Sequence, residues 1–127
     1  MALYWPSHEI VFHPQCFLTE GHFAGPDEVR AAAFLEFAND AGFDAIWFAR
    51  GGYGSNRILD VAMPQLGAAA RNKTYVGYSD MGFMLGALYV RRIGRQAQGS
   101  MASAMGVNDK GTDAGWVLGW LIDGTRD

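Results

Sequence analysis

Two stretches decide the fold: Asp44-Ala45-Ile46-Trp47-Phe48-Ala49-Arg50-Gly51-Gly52-Tyr53-Gly54 and, further on, Thr74-Tyr75-Val76-Gly77-Tyr78-Ser79-Asp80. In each, a short apolar run breaks off into a small polar turn. Runs of this length, rich in aromatic and β-branched residues and bounded by glycine, fit strands buried on both faces, as in a parallel sheet. Ligands and reacting groups gather at the carboxyl ends of such strands. Both turns, Arg50 to Gly54 and Ser79-Asp80, fall at that edge.

Working outward, strands and helices alternate without repeats, low-complexity tracts or an obvious linker, which is the pattern of an α/β sheet. A first helix starts at Pro26, suited to the first helical position, with Asp27 and Glu28 at its positive end. Val29, Ala33 and Phe37, with Phe34, Ala38 and Ala41, form its apolar stripe, and Gly42 ends it. A second helix is expected from Ser55 or Asn56, carrying Ile58, Leu59 and Val61 until Pro64 interrupts it. Asp80 to Val90 reads as a mostly buried helix. Gln96-Ala97-Gln98-Gly99 reads as a strand, and Ser100 to Thr112, rich in Gly, Ser and Asn, as mostly loop. A last helix runs from Asp113 to Ile122, with Trp116, Val117, Trp120 and Leu121 on one face packed against the sheet.

Ser79 is the residue with chemistry to offer. A serine hydroxyl needs a base to take its proton and donors to hold the oxyanion that forms. On a turn between strand and helix, Ser79 has the free N–H groups of the helix start beside it, that of Asp80 first. A glycine-rich turn such as Gly51-Gly52 lets backbone approach a ligand and can supply a second donor. Local sequence leaves two readings open for Ser79-Asp80, a nucleophile turn and a plain helix cap. The hydrolase elbow Gly-x-Ser-x-Gly is met only in part: Gly77 and Ser79 fit, but Met81 stands where the last glycine should, with Gly82 one step late. Gly51 to Gly54 also reads as a plain strand-to-helix turn.

At these residues the chain resembles the LD-carboxypeptidases, serine peptidases of bacterial murein recycling whose relatives include the microcin C immunity proteins. Gly21-His22-Phe23-Ala24-Gly25-Pro26-Asp27-Glu28-Val29-Arg30 is similar to the family's loop and helix start, Ala-Gly-x-Asp-x-x-Arg. Arg50 to Gly54 is similar to its Gly-Gly-Tyr-Gly segment, and Gly77-Tyr78-Ser79-Asp80 to its nucleophile turn, in order and with matching spacing from about residue 9 to residue 123. The resemblance implies a flavodoxin-like three-layer domain with a mostly parallel sheet. It makes Ser79 the nucleophile and the Asp80 N–H one oxyanion donor, with Gly51 or Gly52 as the other. Tyr53 would help line the pocket, and Arg50 would anchor its loop or meet a carboxylate, which arginine suits. The family's Glu and His, which complete the triad, come from a carboxy-terminal domain that this sequence does not contain. Glu9-Ile10-Val11-Phe12 is similar to the family's second strand, so the first strand and helix are expected to be missing. Gln98-Gly99-Ser100-Met101 stands where the family usually shows His-Gly-Pro-Met.

Three histidines, His8, His13 and His22, lie upstream of both loops, and His22 is the one whose loop should reach the sheet edge. A single domain of 127 residues suffices for one core. A net charge of -3, from 10 basic and 13 acidic residues, leaves no footprint for nucleic acid and no polybasic membrane patch. Arg91, Arg92 and Arg95 read as a solvated helix end. Cys16 is the only cysteine, so no internal disulfide forms. His13 and Cys16 fall short of the four ligands of a structural zinc site, and neither a metal nor a cofactor is expected. No signal peptide or membrane span is legible, so a cytoplasmic setting is expected.

Four functions compete at this point. The first is the nucleophile-bearing domain of a serine LD-carboxypeptidase acting on murein tetrapeptides, inert alone for want of Glu and His. The second is a hydrolase of peptidyl nucleotides, like the immunity relatives. The third is a non-catalytic module that cradles a phosphate or carboxylate. The last is a structural half-domain able to act only when complemented by the rest; if the chain is half of a two-domain enzyme, apolar surface of the Asp113 to Ile122 helix left uncovered would lead to self-association.

Overall fold

The computed structural model describes residues 2–5, 8–104 and 113–123, beginning with two short strands, β1 (Ala2–Trp5) and β2 (His8–Val11). Most of the Glu9 to Phe12 segment is extended, as expected. It pairs antiparallel with β1, however, Ile10 opposite Leu3, and stays outside the parallel sheet. The two strands are separated by Pro6 and Ser7 alone, whereas a parallel partner needs a crossover of about a dozen residues.

The parallel sheet holds β3 (Ala45–Trp47), β4 (Thr74–Gly77) and β5 (Arg95–Gln98), with β4 in the middle. Ile46 lies beside Tyr75, and Tyr75 beside Gln96. This is the α/β, flavodoxin-like arrangement the sequence predicts, in partial form.

Helix α1 (Asp27–Asn39) starts behind Pro26 with Asp27 and Glu28 in its first turn. Its buried residues are Ala31, Ala33, Phe34 and Ala38, while Val29 is 39% exposed. Apolar residues surround so much of this helix that periodicity alone does not select the stripe; packing does. After Gly54 the chain forms no single helix. Turns of 3-10 geometry at Ser55–Ile58, Met63–Gln65 and Ala68–Asn72 flank the one-turn α2 (Leu59–Ala62). Pro64 lacks the N–H that would continue α2, and Gly67 is fully extended at φ -96° and ψ -167°. Asn39 braces this irregular run: its Oδ1 accepts from the Gly67 N–H at 2.7 Å and its Nδ2 donates to the Gln65 carbonyl at 2.9 Å.

Helix α3 (Gly82–Val90) follows a 3-10 turn at Ser79–Met81 and buries Met84, Leu85 and Leu88. Together with α1 and α2 it covers one sheet face in a continuous cluster that includes Phe34, Ile46 and Tyr75. Helix α4 (Asp113–Asp123) reaches the opposite face, with Val117 packed against Gly99 beside Val76. Its buried residues are Ala114 and Leu118, and Trp116 is 60% exposed. The inward stripe is therefore rotated from the expected Trp116 face: Val117 packs closely at Gly99, while Trp116 only borders the space between α4 and the sheet.

Two buried polar groups fix the middle of the sheet. Lys73, 2% exposed, donates from Nζ to the carbonyls of Asp40 and Phe43. Tyr75, fully buried, donates its hydroxyl to the Ala70 carbonyl at 2.7 Å. Burial pushes the Tyr75 phenol up from 10 to about 12. The native state then holds this proton more tightly than the unfolded chain does, so its contribution to stability falls as pH rises from 10 through about 12. Tyr75→Phe leaves the Ala70 carbonyl without its donor and should lower stability by about 1–2 kcal/mol at neutral pH. Urea midpoints of the two proteins should converge across that alkaline window, and a constant gap would contradict the argument.

Candidate active site

The turn that follows β4 is unusual in its backbone. Ser79 has φ +54°, one of two non-glycine residues with positive φ among the described residues, the other being Arg92. The left-handed conformation costs an L-residue roughly 1–2 kcal/mol, so surrounding contacts must hold it. Tyr78 occupies the cap position of the Ser79–Met81 turn and makes no side-chain capping bond. The Asp80 carboxylate serves a neighbouring turn instead. Its Oδ2 accepts the Ser55 N–H at 2.8 Å, and the Ser55 hydroxyl donates to the Asp80 carbonyl at 2.6 Å. Ser55 is 3% exposed, so this reciprocal pair is shielded from water and ties the two loops together.

Gly51 presses against the same turn. A Cβ at this position would lie 2.9 Å from the Ser79 Cβ and 2.9 Å from the Tyr78 carbonyl oxygen, and 3.5 Å from the Asp80 nitrogen. Only a residue without a side chain lets the two backbones meet. Gly54 has φ +97° and no room for a Cβ beside the Phe23 ring. Beneath it, Arg30 Nη1 donates to the Gly54 carbonyl at 3.1 Å. Asp27 pairs with both Arg30 and Arg57, and their hydrogen bonds, that from Arg30 foremost, hold its carboxyl below the usual range. The two guanidinium groups lie 5.0 and 4.8 Å from the Phe23 ring centre, and Tyr53 stacks on that ring at 5.8 Å. The Phe23 to Arg30 motif thus forms the underside of the glycine loop.

Above the sheet edge lies a cleft of about 400 Å³ lined by Arg50, Gly51, Gly52, Tyr78, Ser79, Met101 and Ser103. Four of the expected site residues meet here. Asp80 and Tyr53, the latter 65% exposed, stand outside the lining, while Tyr78 stands within it. The Arg50 guanidinium lies along Gly52, 3.6 Å from where a Cβ would project, and takes part in none of the ion pairs among the described residues. The remaining wall is the loop after β5. Trp47 Nε1 donates to the Ser100 carbonyl at 2.8 Å, the Ser103 N–H donates to the Ala49 carbonyl at 2.8 Å, and the Gly51 N–H donates to Met101 Sδ at 3.4 Å.

The lining includes neither histidine nor glutamate. His13 bonds Glu36 at 3.1 Å and packs edge-on against Phe37. His22 is exposed in the turn closed by Glu20 and Phe23, and His8 belongs to β2. What the cleft holds is a serine on a left-handed backbone, a guanidinium and the glycine pair Gly51-Gly52, with no histidine or carboxylate in its lining. A second cavity of about 330 Å³, between β4, β5 and α4, is lined chiefly by Val76, Ala97, Trp116, Val117 and Trp120 and carries no nucleophile.

Ser55, Met101 and Ser103 are site residues that sequence reasoning did not single out. Ser55 was legible only as a helix start, and Met101 only as part of a family-like loop; nothing local signals that either reaches the Ser79 turn.

The LD-carboxypeptidase N-terminal domain family matches this chain over residues 3–97. No curated protein matches it significantly.

The strain at Ser79 can be measured. Glycine accepts positive φ freely, so Ser79→Gly should be more stable than Ser79→Ala by about 1 kcal/mol. Urea unfolding of the two variants checks this, and equal stabilities would mean that the turn is unstrained in solution.

Proposed function

This chain belongs to the LD-carboxypeptidase family, and on that premise we propose that it supplies the nucleophile and the oxyanion hole for hydrolysis of an L,D-peptide bond, releasing terminal D-alanine from murein tetrapeptides during cytoplasmic peptidoglycan recycling. The observation that carries this reading is the backbone of Gly51 pressed against a left-handed Ser79. A serine exposed at a strand end, with the glycine loop packed against its backbone, supports the reading of Ser79 as nucleophile and of the nearby main-chain N–H groups as its oxyanion donors.

In this mechanism Ser79 Oγ attacks the scissile carbonyl carbon and the carbonyl electrons move onto oxygen. The N–H groups of Asp80 and Gly51 receive that oxyanion, with Gly52 adjoining them. The serine proton passes to a base and then to the leaving amine, and water later releases the acyl group from Ser79. The Glu and His that form the base system are proposed to lie in a carboxy-terminal domain outside this sequence, in keeping with a cleft whose lining offers none. Arg50, exposed and in none of the ion pairs among the described residues, is proposed to bind the carboxylate of the departing residue through a two-point contact. Tyr53, beyond the lining, is left to the peptide upstream of the cut. Helix α3 carries no charged residue, and its Phe83, Tyr89 and Val90 are 57%, 73% and 77% exposed. An apolar outer face of this kind seeks a cover.

Fusion to the carboxy-terminal domain of an LD-carboxypeptidase should produce D-alanine release from the murein tetrapeptide. Ser79→Ala should reduce it by about 10³-fold or more, and Arg50→Gln should raise KM about tenfold with kcat little changed. Undiminished release by Ser79→Ala would overturn the assignment. The unfused chain should resist phosphonylation by a fluorophosphonate. Light scattering at micromolar concentrations should find the unfused chain self-associated, and a monomer there would remove α3 as a contact surface.

A further inference from the structure

The Gly51 N–H is not free in this structure. It donates to Met101 Sδ at 3.4 Å, and Met101 lies in the lining of the Ser79 cleft beside Gly51 itself. We propose that the Met101 thioether is a displaceable plug, holding the Gly51 donor at rest and yielding it to an incoming oxyanion; the inference rests on the reading of Gly51 as an oxyanion donor.

Three features support the role. The loop that carries Met101 is pinned on both sides, by the Trp47 bond to the Ser100 carbonyl and by the Ser103 N–H on the Ala49 carbonyl. The backbone of Met101 is fixed as well, its carbonyl accepting the Ala104 N–H at 3.0 Å. Only the side chain is then left to move, and methionine, with an unbranched chain, moves readily. The acceptor it brings is weak, since a thioether sulfur holds an N–H far less firmly than an anionic oxygen does. A partly buried N–H pointing into a cleft would otherwise be unpaired whenever no substrate is present. A weak partner satisfies it without competing seriously with the transition state. Met101 therefore keeps the Gly51 amide aimed at the reacting position, and the exchange of sulfur for oxyanion favours the charged species.

The test uses the full 127-residue chain, isotope-labelled for NMR, with Met101→Leu as the variant that keeps volume and removes the acceptor. The Gly51 amide proton should exchange with solvent about two- to threefold faster in Met101→Leu, the factor at the weak end of a net hydrogen bond, while the Asp80 and Ser55 amides stay unchanged. Phenylphosphonate, a tetrahedral oxyanion that needs no catalysis to bind, should bind Met101→Leu more tightly by about the same factor, because the donor no longer has to be vacated first. An unchanged Gly51 exchange rate would overturn the proposal. So would faster exchange with no gain in phenylphosphonate affinity, which would reduce Met101 to a packing contact. Neither readout depends on turnover. A fused enzyme that fails to release D-alanine would overturn the peptidase reading while leaving both results standing.

Discussion

Everything around the cleft depends on two backbones meeting where a side chain would keep them apart. The Gly51 position leaves no space for a Cβ against Ser79 and Tyr78, and this close approach places the end of β3 beside the end of β4. Sheet pairing brings the strand ends into register, Trp47 beside Val76, but pairing alone stops short of the loops. The Ser55–Asp80 pair continues the alignment past the last ladder bond, and the Arg30 contact to the Gly54 carbonyl supports the glycine loop from below. Close packing and hydrogen bonds thus tie the Ser79 turn to the glycine loop, and that loop to α1. Rigidity of this kind is what an oxyanion hole needs, because its donors must be in place before charge develops.

How much of this was legible in the chain depends on the range of the interaction. Ala45 to Trp47 and Thr74 to Gly77 announce themselves as buried strands because β-branched and aromatic residues cluster there between glycines. The start of α1 is equally plain, since Pro26, Asp27 and Glu28 act within one turn. Legibility ends where a contact spans loops. The Ser55–Asp80 pair joins residues with a broken helical segment and a whole strand between them, and the Gly51–Met101 contact crosses from β3 to the loop after β5. Neither has a local signature. The region after Ser55 fails for another reason: Ile58, Leu59 and Val61 have helical spacing, but Pro64 and Gly67 cut the segment before a helix can pay its nucleation cost. On α4 the packing partner decides, since it is Val117 that meets Gly99 and Val76.

The distribution of polar groups separates structure from chemistry. Lys73 and Tyr75 are buried with their partners satisfied by main-chain carbonyls, and they stabilise the sheet without facing the cleft. Asp27, Arg30 and Arg57 serve the glycine loop around the Phe23 ring. What faces the cleft is sparse: the Ser79 hydroxyl at the turn, the Arg50 guanidinium, Tyr78, Ser103 and the Met101 thioether beside the two glycines. None of the groups in this lining is a histidine or a carboxylate, the side chains that most often carry a proton in hydrolysis.

The left-handed Ser79 has a consequence for the history of this sequence. At that position glycine would be the more comfortable residue, and serine and glycine codons can differ by a single nucleotide. A lineage released from selection would be free to drift toward the relaxed backbone, gaining stability as it lost the hydroxyl. A serine here stands against the preference of its own backbone, whereas the residues of the hydrophobic core are held in place by folding itself.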